Sequence, residues 1–226
     1  MTRTRLATAT AAALIALAAN PAFAQQSIDK VNGSITAEAG QLYGDLETVN
    51  GSIRLEDGAR LEDASTVNGS IKGGDDVHAR SLETVNGSIR VGERAKIAGG
   101  VETVNGSVFV DRGSSVGDDI ATVNGAIGIV DTDLAGDIET VRGDITVGIG
   151  SHVKGGIHVE KPDNGGWNIS FGKKQPPRIV IGPDAVVEGP LVFEYEVKLY
   201  VHDSARVGKV TGATPIAFST PTPPEN

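Results

Sequence analysis

The tripeptide Val-Asn-Gly begins at Val31, Val49, Val67, Val85, Val104 and Val123, and a variant, Val-Arg-Gly, begins at Val141. The intervals are 18, 18, 18, 19, 19 and 18 residues. A period this regular makes each interval one structural unit stacked on its own copies. Within each interval the apolar residues recur at matched offsets. Four positions after the Val stand Ile35, Ile53, Ile71, Ile89, Val108, Ile127 and Ile145. Two positions further on, Leu55, Val91, Val110, Ile129 and Val147 follow. A third set reads Leu42, Leu61, Val77, Ile97, Val116, Leu134 and Val153, and a fourth Leu46, Leu82, Val101, Ile120, Ile138 and Ile157. Local spacing is two, with turn residues between, which is the pattern of short strands. A helical solenoid needs runs of about ten or more residues at 3.6 periodicity, and none is present.

Three short strands and three tight corners account for about 18 residues per coil, and coils stack ~4.8 Å apart as parallel strands. The sequence therefore predicts an all-β fold, a single-stranded parallel β-helix (β-solenoid) that is right-handed, with Val, Ile and Leu pointing inward. The corner pairs Asn50-Gly51, Asn68-Gly69, Asn86-Gly87 and Asn105-Gly106 form a structural ladder. Each Gly supplies a position free to take positive φ, and each Asn can hydrogen-bond its counterparts up the stack. Thirty glycines, 4% aromatics and one Trp fit a thin, turn-rich core.

Three domains are predicted. Residues 1–24 read as a signal peptide, with Arg3 and Arg5, an apolar run from Ala11 to Ala19, and Ala22-Phe23-Ala24 before the cut. Residues 25–213 form the β-helix, interrupted by an irregular excursion at 160–178 that contains Pro162, Gly165, Gly166, Pro176 and Pro177. Beyond it, Leu191, Phe193, Tyr195, Val197, Leu199 and Val201 alternate as one long strand. Residues 214–226 are a Pro/Thr-rich disordered tail. Cleavage implies export to the periplasm or cell surface and leaves no integral membrane segment. It also takes the formal charge from −9 to −11, by loss of Arg3 and Arg5. That acidity argues against nucleic-acid partners. The absence of cysteine excludes disulfides and thiolate metal sites.

The repeated Glu-Thr-Val-Asn-Gly-Ser-Ile, as at Glu47–Ile53 and Glu83–Ile89, resembles an adhesin-like bacterial β-helix family of unknown function. The C-terminal portion, at Ile181–Pro190 and Val201–Gly208, resembles the bactofilins, polymer-forming cytoskeletal β-helices. Bactofilins as a family are cytoplasmic, whereas this chain begins with an export signal. Both resemblances imply the coil, and neither implies catalytic residues or a cofactor.

Candidate chemistry is sparse. His78, His152, His158 and His202 fall at unmatched offsets, so no metal site is expected. Asp118, Asp119, Asp131, Asp133 and Asp137 could approach one another across two coils, as in polysaccharide-active β-helices, but coils this short leave no room for cleft walls. Thr48, Thr66, Thr84, Thr103, Thr122 and Thr140 form what reads as an outward ladder of the kind ice-binding solenoids use. Arg54, Lys72 and Arg90 form a short basic stripe, with Glu83 and Glu102 stacked as like charges beside it. The excursion holds Trp167, Phe171, Lys173 and Lys174, either a binding loop or an inward-facing plug. The sequence thus points to a non-catalytic exported β-solenoid with a structural, adhesive or self-assembling role in the bacterial cell envelope. Its partners would be further copies, end to end, or an envelope or surface glycan. A polysaccharide-active enzyme is the alternative, and an ice-binding solenoid a third reading.

Overall fold

The structure is a computed structural model that describes residues 26–162 and 175–224. The predicted signal peptide and Trp167, Phe171, Lys173 and Lys174 lie outside the described residues. Among the described residues there is no helix, and none is therefore long and apolar enough to cross a membrane. All strand pairs are parallel and build three sheets that run the length of a β-solenoid. The first sheet has ten strands, from Gln26–Asn32 to Val210–Thr211. The second has ten, from Ile35–Ala37 to Ile216–Phe218, and the third has seven, from His78–Ala79 to Arg206–Val207. Ten coils at ~4.8 Å give a rod of about 48 Å.

One coil shows how the sequence makes the turn. In Ser81–Asn86, Leu82 and Thr84 face inward and Glu83 outward. The Asn-Gly corner leads to Ile89–Val91, where Ile89 and Val91 face inward and Arg90 outward. A second corner leads to Lys96–Ile97, and a third to Val101–Asn105. The switch from 18 to 19 residues lies in the third corner. Three positions separate Ala79 from Leu82, whereas four separate Ile97 from Val101 and Val116 from Ile120. The coil from Val123 returns to 18 because its second corner, between Ile129 and Asp133, is one residue shorter.

Five parts of the sequence reading are corrected. The Thr ladder faces inward: Thr84 is 4% exposed, while Val85 beside it is 40% exposed. Period-two alternation from Leu82 requires this, since Leu82 and Thr84 share a face and Glu83 and Val85 share the other. From Thr48 to Thr122 each hydroxyl is satisfied at the corner, as where Thr84 Oγ1 donates to Gly69 O at 2.9 Å and Thr103 Oγ1 to Gly87 O at 2.9 Å, whereas that of Thr140 has no partner.

The corner glycines serve mainly for close approach. Of the Asn-Gly glycines, Gly33 has a φ of 110° and the later ones have no left-handed backbone. A methyl on Gly69, Gly87, Gly106 or Gly125 would instead fall on the carbonyl of the corner glycine one coil earlier. Left-handed residues occupy the second corner, where Gly40, Gly58, Asp76, Arg94, Gly113, Asp131, Gly150 and Asp184 form their own column.

The third apolar set is also shifted. Tyr43 fills that ladder in the first coil and Leu42 is 50% exposed, whereas Ala79 takes the place given to Val77. Val77 is buried in the neighbouring corner column with Ala59 and Ala95.

Finally, the long strand predicted from Leu191 is two strands. Leu191–Phe193 belongs to the first sheet and Lys198–His202 to the second, with a corner between. The tail is not disordered throughout, because Ile216–Phe218 pairs with Lys198–His202 as the last strand of the second sheet. Phe218 is buried there with Val180 and Tyr200, and Arg178 Nη2 donates to Pro224 O at 2.8 Å. The excursion enters between the first and second sheets, at the corner where earlier coils carry Asn-Gly, and the stack continues on either side of it. Ile145 pairs with Ile179 and Val153 with Val187, each 34 positions on, and the next coil pairs at 20 positions, as at Val187↔Val207.

Candidate interaction surfaces

The repeated polar side chains are committed to stacking. Asn50 Nδ2 donates to Asn32 Oδ1 at 3.1 Å, and the ladder continues through Asn68, Asn86 and Asn105 to Asn124. The corner serines accept from the next coil: Ser88 N donates to Ser70 Oγ at 3.2 Å and Ser107 N to Ser88 Oγ at 3.1 Å. Such bonds satisfy corner groups that no sheet ladder reaches.

The candidate carboxylates do not converge. Asp119 Oδ1 accepts from Asp137 N at 2.7 Å, and Asp137 Oδ1 accepts from Gly156 N, so both act as corner caps. Asp131 lies at the opposite corner with a φ of 44°, and Asp133 stands on the third sheet beside His152, Nδ1 to Oδ1 3.9 Å. Among the described residues no three His, Cys, Asp or Glu side chains are grouped to hold a metal ion. His78 and His152 do share the outward column of the third sheet, but Lys96, Ser115 and Asp133 separate them. His152 Nε2 contacts Glu188 at 2.7 Å, and His202 stacks edge-on against Phe218.

What remains outward is arranged by sheet. On the first sheet the column Glu47, Ser65, Glu83, Glu102, Ala121, Glu139 runs along the rod in register. Two positions on, Val49, Val67, Val85, Val104 and Val123 form a parallel exposed column. Between them lies an open groove floored by the buried threonines and closed along one side by carboxylates. Partial burial, and then the charges of Glu83, Asp119 and Asp118, push the Glu102 carboxyl above its ordinary range. Glu139 is pushed up likewise, by burial and then by Asp119.

The second sheet presents one outward residue per coil, so its column is a ridge: Thr36, Arg54, Lys72, Arg90, Phe109. Arg90 lies over the Phe109 ring at 4.5 Å. The third sheet carries Arg60, His78 and Lys96, and burial and then these two neighbours push His78 below its ordinary value. Its flanking corners are acidic and paired, with Arg80 bridging to Glu62 and Asp63.

The stack of Glu83 and Glu102 is legible in the sequence but the groove beside it is not, because Val in Val-Asn-Gly reads as core by hydrophobicity alone. The Glu-x-Val spacing of two, read against the inward Leu82 and Val101, is the signal that finds it. These surfaces define the chain as a parallel β-solenoid with long, charge-segregated faces. No protein-family model, curated protein or solved structure matches it.

Proposed function

We propose that this protein is a non-catalytic, exported β-solenoid that serves as a structural or adhesive scaffold in the bacterial cell envelope. The supporting observation is the division of labour among the repeated side chains. Asn, Ser and Thr are spent on coil-to-coil bonds, and the outward Glu, Val and Arg positions form linear arrays with one element per coil. An array with ~4.8 Å spacing suits an extended or repetitive partner, whereas turnover of a small substrate needs convergent groups in a site that excludes water. The Glu-Thr-Val-Asn-Gly-Ser-Ile repeat and its resemblance to adhesin-like β-helices favour the same reading.

The test is expression of the full-length chain in a bacterial host, with fractionation and N-terminal sequencing, followed by co-sedimentation with isolated envelopes. The expected result is a processed product that begins at Gln25, pellets with envelopes and releases no sugar from them. A cytoplasmic product with an intact N-terminus, or release of reducing sugar ends, would overturn the proposal.

A further inference from the structure

Two faces of one rod carry opposite charge at the same spacing, and their shapes match. The first sheet is concave along its length, with Glu47, Glu83 and Glu102 on one side of the groove and valines on the other. The second sheet is a ridge one residue wide, and Arg54, Lys72 and Arg90 occupy three successive coils of it. Long basic side chains suit such a groove, because their aliphatic stems can lie on valine while their charged ends reach carboxylate.

We infer that the basic ridge of one copy docks in the acidic groove of a second copy, so that rods associate side by side. This deepens the scaffold reading and rests on it. The occupant is a second copy because it is automatically commensurate: two rods built on one coil rise keep their rows in step, so that two glutamates meet two basic residues over the three coils that carry Arg54, Lys72 and Arg90. With coils aligned in parallel, the Glu47 and Glu83 rows meet the Arg54 and Arg90 rows. A slide of one coil sets Glu83 and Glu102 opposite Lys72 and Arg90. The third sheet is the poorer donor of positive charge, since its face is itself grooved.

The ridge is about 10 Å wide and is open over the seven coils from Thr36 to Thr146, about 34 Å, before Val180 and Tyr200 are buried. The contact buries on the order of 700 Å² in total, below the range of stable specific interfaces. Association is therefore weak and sensitive to salt. Because the two surfaces differ, the contact is heterologous, and a bound copy still offers its own groove or ridge.

The test is sedimentation velocity on the purified full-length chain across a concentration series. Mass above the monomer should appear at about 20 mM salt and vanish at about 0.5 M, where the Debye length falls to a few ångströms. Two variants separate this contact from any other. Glu83→Lys with Glu102→Lys makes both faces basic, and Lys72→Glu with Arg90→Glu makes both acidic. All four positions are exposed and outward, and circular dichroism checks that each variant folds. Each double variant alone should be monomeric, an equimolar mixture should assemble, and the quadruple variant should regain assembly by itself. Assembly that persists in both double variants, a mixture that stays monomeric, or a wild-type chain monomeric at low salt would each overturn the lateral contact. None of these outcomes bears on processing at Gln25 or retention by envelopes, which judge the scaffold reading separately.

Discussion

Substituting Gly87 by Ala tests the reason a glycine stands at this corner. A methyl there would lie 2.5 Å from the Gly69 carbonyl carbon and 3.1 Å from Ser70 N. Carbon contacts are most favourable at about 3.5–4.0 Å, so the two coils must open by about 1 Å. Four bonds cross that gap. Gly69 N donates to Asn86 O at 3.1 Å, Asn86 Nδ2 to Asn68 Oδ1 at 3.0 Å, Ser88 N to Ser70 Oγ at 3.2 Å and Thr84 Oγ1 to Gly69 O at 2.9 Å. At about 0.5–1.5 kcal/mol each, their loss costs about 2–6 kcal/mol. Because a solenoid is held together by contacts between neighbouring coils, the damage should also uncouple the two halves of the rod. Urea unfolding followed by circular dichroism should show a large drop in stability and a broadened or two-step transition.

Gly73→Ala is the internal control. Gly73 faces the core in the column that holds Leu55 and Val91, and an added methyl meets nothing closer than 3.7 Å. It should stabilise the protein by about 1 kcal/mol, through chain entropy and methyl burial. If Gly87→Ala unfolds within about 0.5 kcal/mol of the parent, the close-approach explanation is wrong.

Three further predictions rest on the ladders. Thr84→Val removes a buried donor that is satisfied by Gly69 O and should cost about 0.5–1.5 kcal/mol, whereas Thr140→Val should be neutral or stabilising, because the Thr140 hydroxyl is buried without a partner. Equal losses in thermal melts of the two variants would contradict the assigned bonds. Asn86→Asp keeps the acceptor for Asn105 but loses the donor to Asn68, and should cost about 0.5–1.5 kcal/mol at neutral pH; a Tm unchanged from the parent would argue against the ladder. Glu102→Gln should stabilise the protein by about 0.2–1 kcal/mol at neutral pH, since Glu83 stands directly opposite in register. The folded state holds the Glu102 proton to a higher pH than the unfolded chain does. Its penalty is therefore absent at about pH 3, where both states are protonated, and grows as pH rises through the folded pKa. A gain at pH 3 as large as at pH 7 would refute that origin.

The coil, its length and most of its core were legible because backbone stacking forces like positions into columns, and Ile53, Ile71 and Ile89 announce such a column directly. What misled was chemistry read one residue at a time. Thr84 looks like a surface residue and Val85 like core, yet alternation from Leu82 reverses both. Leu42 and Val77 are apolar and close to the right offset, but the corners determine which residue turns inward, and their geometry depends on the left-handed position at Gly40, Gly58 and Asp76. Glu83 and Glu102 were legible as a stack of like charges, but the groove between them and the valines was not, for the same reason as the Thr error. The split of Leu191–Val201 was hidden because inward residues on either side of a corner can keep an even spacing. In the tail, Ile216 and Phe218 are too few to register as a strand until Lys198–His202 supplies an edge for them.

The Asn ladder also gives the rod an electrical direction. From Asn50 to Asn124 every amide donates toward the coil before it, and from Asn32 to Asn105 each accepts from the coil after it. An asparagine stack is symmetric in composition, so the opposite orientation would satisfy the same number of bonds if both ends were alike. They are not alike, since in the next coil Arg142 stands in the asparagine column beside Asn124. A guanidinium can only donate, so it favours an oxygen pointing toward it, and each amide then orients the next. The six side chains along the rod share one orientation, and their dipoles add in one direction as peptide dipoles do in a helix.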